Sequence, residues 1–202
     1  KSMISLAARD TRIMVPAKEL ARHTRYLGVA NGVVDLRTGE LLRADPKLYI
    51  TMSTECDYDP NARAPLFEQT IKDVFFDDMQ MVEYVMRTFG YALMGNPIED
   101  IMFIAFGEGS NGKSTIFNAV RQTFGSYAKV ADANTFVSND PKGGNAGGPR
   151  EDLIVLRGAR FVYVNEPDEG GELREGTVKS MTGGDVIRAR APFAPDSIEI
   201  TP

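Results

Sequence analysis

The chain has 202 residues, 43% of them hydrophobic and 25% charged, close to the average of globular proteins. This length and composition predict one large domain or two small ones, and they exclude a disordered, collagen-like or disulfide-dense chain. The 28 acidic residues outnumber the 23 basic ones, for a net charge of −5, so a basic protein that coats duplex DNA is not expected.

A single cysteine and a single histidine limit the chemistry of the chain. Cys56 cannot form an internal disulfide, and with His23 alone most catalytic schemes built on imidazole are excluded. We predict a packed thiol and a surface imidazole. No apolar run reaches the roughly 18 residues of a membrane span, which predicts a soluble, cytoplasmic protein without membrane contact. Because the chain does not begin with methionine and residues 197–202 resemble an interrupted strand, we expect a piece of a longer protein.

The first third of the chain carries a predicted β meander. Turn residues separate short strand-like runs at 26–30, 33–36 and 41–42. Asn31-Gly32 between β-branched runs predicts a type I′ hairpin turn. We assign residues 1–64 to a β-meander and linker region.

The apolar spacing becomes helical after Pro65 and predicts two helices. Their apolar positions are Leu66, Phe67, Thr70, Ile71, Val74 and Phe75 in the first helix and Met81, Val82, Val85, Met86 and Phe89 in the second. Asp77 or Asp78 is placed to cap the second helix, which ends before Pro97. We assign residues 65–96 to a helical region and interpret its Met and Phe positions as helix core.

The last part of the chain, residues 97–202, has the pattern of an α/β fold with a parallel sheet. Residues 101–106 are apolar without alternation, which predicts a strand buried on both faces, and Phe161–Val164 predicts a second strand of this kind. A glycine-rich turn and a helix over Lys113–Phe124 follow the first strand. Residues 138–149 contain no large apolar side chain and predict a mobile surface loop.

A phosphate-binding motif joins the first of these strands to the helix. Residues 107–114 fit the pattern G-x-x-x-x-G-K-S/T, in the strand-to-helix position that the mechanism requires. Glycines let backbone N–H groups surround a phosphate, and the helix N-terminus adds partial positive charge. Lys113 is expected to bind the β- and γ-phosphates of ATP and Ser114 to hold Mg²⁺. Thr115 is interpreted mainly as a helix-packing residue, and Glu108 as an exposed residue and not a catalytic one. The predicted nucleotide-binding residues are Gly107, Glu108, Gly109, Ser110, Asn111, Gly112, Lys113, Ser114 and Thr115.

A P-loop also needs an acidic partner for the metal and the attacking water, at the end of a neighbouring strand. The strand Phe161–Val164 is followed by Asn165-Glu166, so an amide stands where a metal-directed carboxylate is expected. Glu166 is therefore predicted to polarise water, to hold Mg²⁺, or both. Asp168 and Glu169 are interpreted as solvated turn carboxylates.

Several short segments form a combination more specific than the P-loop alone. They are 31–36 (NGVVDL), 38–40 (TGE), 89–91 (FGY), 111–115 (NGKST), Arg160, 178–185 (VKSMTGGD) and 187–190 (IRAR). From about residue 27 to its end, the chain thereby resembles the phage and plasmid primase–helicase family, which are superfamily 3 helicases of the D5/P4 type.

The resemblance implies an AAA+-like ATPase core behind a helical collar, which would be residues 65–96, in a hexameric ring that translocates single-stranded DNA. It also implies a hairpin at the central pore after the acidic strand, and Gly183-Gly184 suits the turn of such a hairpin or its approach. The candidate DNA contacts in that region are Lys179, Arg188 and Arg190. The alternative is that these are surface cations paired with Glu175 or Asp185.

The resemblance further implies a γ-phosphate-sensing asparagine and an arginine that reaches a neighbour's ATP. We expect both beyond residue 202, so that the chain alone binds nucleotide and hydrolyses it poorly. A primase domain or other replication proteins are the expected partners, although the sequence shows no primase site.

Three classes of function remain open. The favoured class is an ATP-dependent ring helicase or translocase. The second is a non-hydrolysing module in which ATP holds an oligomer on DNA, and unchanged hydrolysis after Glu166→Gln in the longer protein would favour it. The third is a small-molecule P-loop kinase, which phosphoryl transfer to a nucleoside or metabolite would reveal.

Overall fold

The computed structural model describes residues 3–7, 9–10, 12–16, 19–20, 22–96, 98–138, 150–165, 171–190 and 197–200. Within them the chain is a mixed α/β fold. The helices are α1 (Met3–Ala7), α2 (Pro65–Val74), α3 (Met79–Leu93), α4 (Lys113–Phe124), α5 (Ala133–Phe136), α6 (Glu151–Ile154) and α7 (Glu175–Thr182), with 3-10 helices at Pro46–Leu48 and Gly125–Tyr127. The strands are β1 (Tyr26–Val29), β2 (Gly32–Asp35), β3 (Glu40–Leu42), β4 (Ala128–Ala131), β5 (Val137–Ser138), β6 (Phe161–Val164), β7 (Glu172–Leu173), β8 (Ile187–Ala189) and β9 (Ile198–Ile200).

The predicted β meander is confirmed, because β1, β2 and β3 form an antiparallel sheet in that order. Its first turn is one residue earlier than predicted. Val29 pairs with Gly32, so the two turn residues are Ala30 and Asn31. The Asn31 side chain accepts a hydrogen bond from the N–H of Tyr58 at 2.9 Å and donates one to its carbonyl at 3.1 Å. These two bonds hold Asn31 at the tip of the hairpin.

The two predicted helices after Pro65 are confirmed as α2 and α3. The Asp78 carboxylate caps α3 by accepting from the N–H groups of Gln80 and Met81, each at 3.1 Å. The predicted apolar faces are only partly buried. Each helix packs on one side, against α4 or β6, so part of each face remains in solvent. The buried positions are Ile71, Val82 and Phe89, and the exposed ones include Leu66, Met81 and Met86.

The α/β half of the chain contains the predicted helix α4 and strand β6 with the predicted bounds. β6 pairs in parallel with β4, from Ala128 opposite Phe161 to Ala131 opposite Val164. The prediction of a buried strand at 101–106 is wrong for the described structure. This segment has no strand pairing, and all six of its side chains are exposed. A strand forms only where a neighbouring strand pairs with it. Within the described residues the parallel sheet consists of β4 and β6 alone, so residues 101–106 have no partner there.

One hydrophobic core joins the meander to α4. Its buried members are Leu27, Val29, Val34, Ile71, Val82, Phe89, Ile116, Val120, Phe124, Tyr127 and Ala128. Polar contacts reinforce it, since the Tyr127 hydroxyl accepts from the N–H of Gly28 at 2.9 Å and donates to the carbonyl of Met52 at 3.0 Å. The Ser126 hydroxyl likewise binds both backbone groups of Ser53. The C-terminal end of α4 is therefore fixed to the meander region.

A second, smaller cluster lies around the β8–β9 pair. Its buried residues are Ala131, Leu153, Leu156, Ala189 and Ile200. The strand expected near the end of the sequence is confirmed as β9, which pairs antiparallel with β8. Gly183 caps the C-terminus of α7, and Gly184 has a φ of 69°. The glycine pair therefore ends a helix and leads into β8, so it lies at the approach to the antiparallel β8–β9 pair and does not form the turn of a hairpin. Of the predicted loop at 138–149, residues 139–149 lie outside the described residues.

Two single-residue predictions have different outcomes. The thiol of Cys56 is exposed, which contradicts the predicted packed thiol. The reason is local, since the loop uses the backbone of Cys56, whose carbonyl accepts a hydrogen bond from the N–H of Ala30 at 2.9 Å. The imidazole of His23 is half-buried and meets the ring of Tyr26 edge-on, with 6.2 Å between the ring centres.

The Asp35 carboxylate is the buried charge of the meander. It accepts hydrogen bonds from Nε and Nη2 of Arg25 and from the N–H of Arg37. Its side chain is 6% exposed. The hydrogen bonds from the Arg25 guanidinium lower the pKa of Asp35 to about 2 from an ordinary value of 3.8, even though burial opposes the change.

This pKa predicts an acid sensitivity. A carboxyl group whose folded-state pKa lies below the unfolded value stabilises the fold above the unfolded value, and this stabilisation is lost as the pH falls. We therefore expect the free energy of unfolding to decrease between about pH 4 and pH 2, and to decrease less in Asp35→Asn. Urea unfolding at several pH values measures it, and identical pH dependence in both proteins would contradict the assignment.

Candidate functional site

Residues 107–112 form a tight loop that leads directly into α4. Gly112 is the N-cap residue, with a φ of 84°, and α4 begins at Lys113. The first N–H groups of a helix have no carbonyl partner within it, and they carry partial positive charge. The loop therefore leads to a helix end with partial positive charge, which is the position in which the motif predicts a phosphate.

The Lys113 side chain turns back into the loop. Its Nζ donates to the carbonyl oxygens of Gly107 at 2.9 Å and Glu108 at 3.5 Å, and to Oδ1 of Asn111 at 3.1 Å. All three acceptors are oxygens of neutral groups. The ammonium charge is therefore held at the loop without an acidic partner among these contacts, and it can exchange the loop oxygens for the oxygens of an anion.

Two glycines of the loop have a backbone conformation that favours glycine, and a side chain approaches each of them closely. A Cβ on Gly107, whose φ is 153°, would lie 2.3 Å from Nδ2 of Asn111. A Cβ on Gly112 would lie 2.4 Å from Cγ2 of Val74. Other residues at these positions would displace the loop. The second contact also shows that the C-terminal end of α2 packs against the junction of loop and helix.

The remaining predicted nucleotide-binding residues are open to solvent. The exposed residues among them are Glu108, Gly109, Ser110, Asn111, Ser114 and Thr115. The exposure of Glu108 agrees with its interpretation as a surface carboxylate. The alternative of helix packing for Thr115 is wrong, because α4 turns its buried face, with Ile116, away from it. Ser114 presents its hydroxyl at the first turn of α4, where it is accessible to a hydrated metal ion.

The α4 helix runs antiparallel to β4 and β6. Phe124, at its C-terminal end, meets the ring of Phe161 with 5.6 Å between ring centres, and Phe117 stacks on Tyr163 at 6.1 Å. The N-terminus of α4 therefore lies toward the same end of the sheet as the carboxyl end of β6. That end continues into Asn165, the last described residue there, and Glu166 lies outside the described residues with Asp168 and Glu169.

Sequence reasoning missed a carboxylate at this edge. Ala131 is opposite Val164 in the parallel register, so Asp132 and Asn165 follow neighbouring strands at the same end. The Asp132 side chain caps α5 by accepting from the N–H of Asn134 at 2.8 Å. A search for an acidic residue after each predicted strand would have found it only if β4 had been recognised as a strand.

Arg160, which the sequence marks only as a motif residue, connects three elements. Its guanidinium donates to the carbonyl of Leu93, the last residue of α3, and to the carbonyl of Tyr26 in β1, both at 2.7 Å. It also lies over the ring of Tyr127, 4.6 Å from the ring centre. Burial lowers the pKa of Arg160, and the two carbonyls compensate for lost hydration. This guanidinium is committed to the fold and is not available to a nucleotide.

The three candidate DNA contacts differ in their surroundings. Lys179, on α7, forms an ion pair with Glu175 at 3.2 Å, and Arg188, on β8, forms one with Glu199 of β9 at 3.4 Å. Both pairs are exposed, so each contributes little to stability and can exchange its partner for a phosphate. Arg190 is exposed and has no acidic partner in the part of the chain that the structure describes. The expected alternative of surface ion pairing therefore applies to the first two cations.

Metal and membrane features are limited in the described part of the chain. No group of three or more His, Cys, Asp and Glu side chains there could hold a metal ion by itself. Glu166, the second predicted metal ligand, lies outside the residues to which this statement applies. None of the described helices combines the length and apolar character needed to cross a membrane.

Comparison with known proteins finds a family similarity in the N-terminal part of the chain. Residues 1–76 match the family described as "D5 N terminal like", a range that holds the β meander and α2. This part of the chain is therefore similar to the D5-like family, and the match ends before the glycine loop and α4.

Individual relatives come from large DNA viruses. The chain is 27% identical over 182 residues to "Putative helicase L207/L206" of Acanthamoeba polyphaga mimivirus, an alignment that covers 87% of the chain and 18% of that protein. It is 29% identical over 173 residues to "Putative helicase 184R" of Invertebrate iridescent virus 6, covering 82% and 17%. It is 31% identical over 96 residues to "Putative helicase 022R" of Frog virus 3 (isolate Goorha), covering 48% and 10%. The chain thus spans less than a fifth of the length of these relatives.

Proposed function

We propose that this chain is part of an ATP-dependent replication helicase in which a ring of chains moves single-stranded DNA. The helicase names of the viral relatives and the match to the D5-like family support a replication role. The observation that carries the nucleotide-binding part of the proposal is the ammonium group of Lys113, held by neutral oxygens at the glycine loop before α4.

The residues of the loop fit a nucleoside triphosphate with Mg²⁺. The N–H groups of the loop and of the first turn of α4 would bind phosphate oxygens, Lys113 would neutralise their charge, and the Ser114 hydroxyl would ligate the metal. A bound Mg²⁺ would neutralise charge that develops on the phosphates. Glu166 would orient the attacking water, since the chain leaves β6 at the end of the sheet where α4 begins.

A ring resolves the conflict between an acidic chain and a nucleic-acid partner. The net charge of −5 does not favour coating a DNA duplex. In a hexamer, however, six copies of a few cations would converge on one axis, while the acidic surface faces water. Arg190 is the cation best placed for this role, because no described carboxylate neutralises it.

The DNA part of the proposal predicts a graded loss of salt dependence. We expect Arg190→Ala to reduce the slope of log K against log salt for a single-stranded oligonucleotide by about 0.7 for each chain, the value for one phosphate contact. Lys179→Ala and Arg188→Ala should reduce it less, because each cation already has an acidic partner. Fluorescence anisotropy at four salt concentrations measures the slopes. Equal slopes in the wild type and all three variants would remove this surface from the DNA path.

The amide of Asn165 favours a second candidate function. Because it stands where a metal-directed carboxylate is expected, ATP could serve to hold an oligomer on DNA without being hydrolysed. The two candidates differ in turnover, since only a translocase has its ATP hydrolysis stimulated by single-stranded DNA.

A further inference from the structure

The turn between α2 and α3 has an unusual backbone. Phe76 has a φ of 51° and Asp77 a φ of 59°, so two successive residues that are not glycine adopt the left-handed conformation. Within the described residues no other adjacent pair does so. This conformation is unfavourable for a bulky side chain, and strain of this kind is frequent where a side chain is held for binding.

Folding alone does not account for a phenylalanine at this position. The turn ends α2 through hydrogen bonds from the N–H of Phe76 to the carbonyl of Asp73 at 3.2 Å and from the N–H of Asp77 to that of Lys72 at 2.9 Å. Glycine would make the same backbone bonds without strain. The Phe76 side chain is 93% exposed, so it gains almost no burial in return. The neighbouring Phe75, by contrast, packs against the core.

The turn that carries Phe76 follows the end of α2 that packs against the phosphate loop. Val74 contacts Gly112 at the junction of loop and helix, and Phe76 is two residues further along. Consecutive Cα atoms are about 3.8 Å apart, so the Cα of Phe76 is within about 8 Å of that of Val74. A nucleotide whose phosphates occupy the loop extends its sugar and base beyond the loop, where an exposed aromatic ring can meet the base.

We propose that Phe76 provides the stacking surface for the aromatic base of the nucleotide whose phosphates bind at residues 107–114. This inference rests on the proposed nucleotide binding and adds the base to it. Every base has a π-face, so a ring in this position selects for a nucleotide over inorganic phosphates without reading which base is present.

The test compares two ligands that share their phosphates. Isothermal titration calorimetry with Mg-ATP and with Mg-tripolyphosphate, which has no base, is carried out on the wild-type chain and on Phe76→Gly. We expect the Kd for Mg-ATP to rise about 10-fold in the variant, in the range known for loss of base–aromatic stacking. The Kd for Mg-tripolyphosphate should not change. The free energy of unfolding should stay equal or increase, since glycine relieves the backbone strain.

Two further variants separate stacking from general effects. Phe76→Trp should keep the affinity for Mg-ATP, and Leu66→Ala, which removes a side chain 82% exposed at the other end of α2, should change neither ligand. If the wild type binds both ligands but Phe76→Gly leaves the ratio of their Kd values unchanged, this inference fails and the proposed function stands. If the wild type binds neither ligand, the nucleotide site and this inference both fail.

Discussion

Lys113→Ala is expected to raise the Kd for Mg-ATP by about 100-fold or more, because it removes the charge that we propose binds the phosphates. Truncating one partner of a hydrogen-bonded charge pair costs about 2–5 kcal/mol of binding free energy, and about 1.4 kcal/mol is a factor of ten. In the free protein the ammonium contacts only oxygens of its own loop, from Gly107, Glu108 and Asn111. The substitution should therefore reduce binding far more than stability. Isothermal titration calorimetry measures the Kd, and urea unfolding measures the stability.

A matched control distinguishes the site from general electrostatics. Lys47→Ala removes an equally charged, exposed side chain from the 3-10 helix Pro46–Leu48, which is not part of the predicted nucleotide site. It should leave the Kd for Mg-ATP unchanged. Retained affinity in Lys113→Ala would refute the assignment of the loop as the phosphate site, and an equal loss in both variants would point to net charge as the cause.

The features that sequence reasoning predicted correctly depend on short-range rules. The bounds of α4 follow from a glycine before Lys113 and another after Phe124. The cap of α3 follows from the Asp78 carboxylate, because the N–H groups two and three residues later have no partner within the helix. The meander follows from alternating turn and β-branched residues. Each of these signals involves residues close together in the chain, so no knowledge of the fold is needed.

The features that it missed depend on distant partners. The run at 101–106 has the composition of a buried strand, but burial requires neighbours that composition does not reveal. By its own preference Asn31 suits the first position of a two-residue turn, which is where the sequence places it. In the structure it is the second turn residue, and its side chain accepts a hydrogen bond from the distant Tyr58. The contact of Val74 with Gly112 likewise joins residues that are 38 positions apart in the numbering. The position of the glycine loop directly before α4 was predictable because the motif and the helix start are contained in eight successive residues.

Arg160→Ala is expected to lower the free energy of unfolding by about 3 kcal/mol. Hydrogen bonds to charged groups contribute about 1.5–3 kcal/mol each, and this side chain makes two, to carbonyls of residues that are 67 and 134 positions away. Its removal leaves the carbonyls of Leu93 and Tyr26 without these donors and removes the contact with the ring of Tyr127. Urea denaturation followed by circular dichroism measures the change.

The neighbouring Arg157 provides the control, because it is exposed and lies in the turn that follows α6. Arg157→Ala should change stability by less than about 0.5 kcal/mol, as most surface substitutions do. Equal small effects of both substitutions would show that Arg160 does not join the elements.

Arg160 connects β1 and α3 to the start of β6, and Ser126 and Tyr127 connect α4 to the meander. We therefore expect the meander and α4 to unfold together in Arg160→Ala. Two separate transitions would mean that the shared core does not make these parts one cooperative unit.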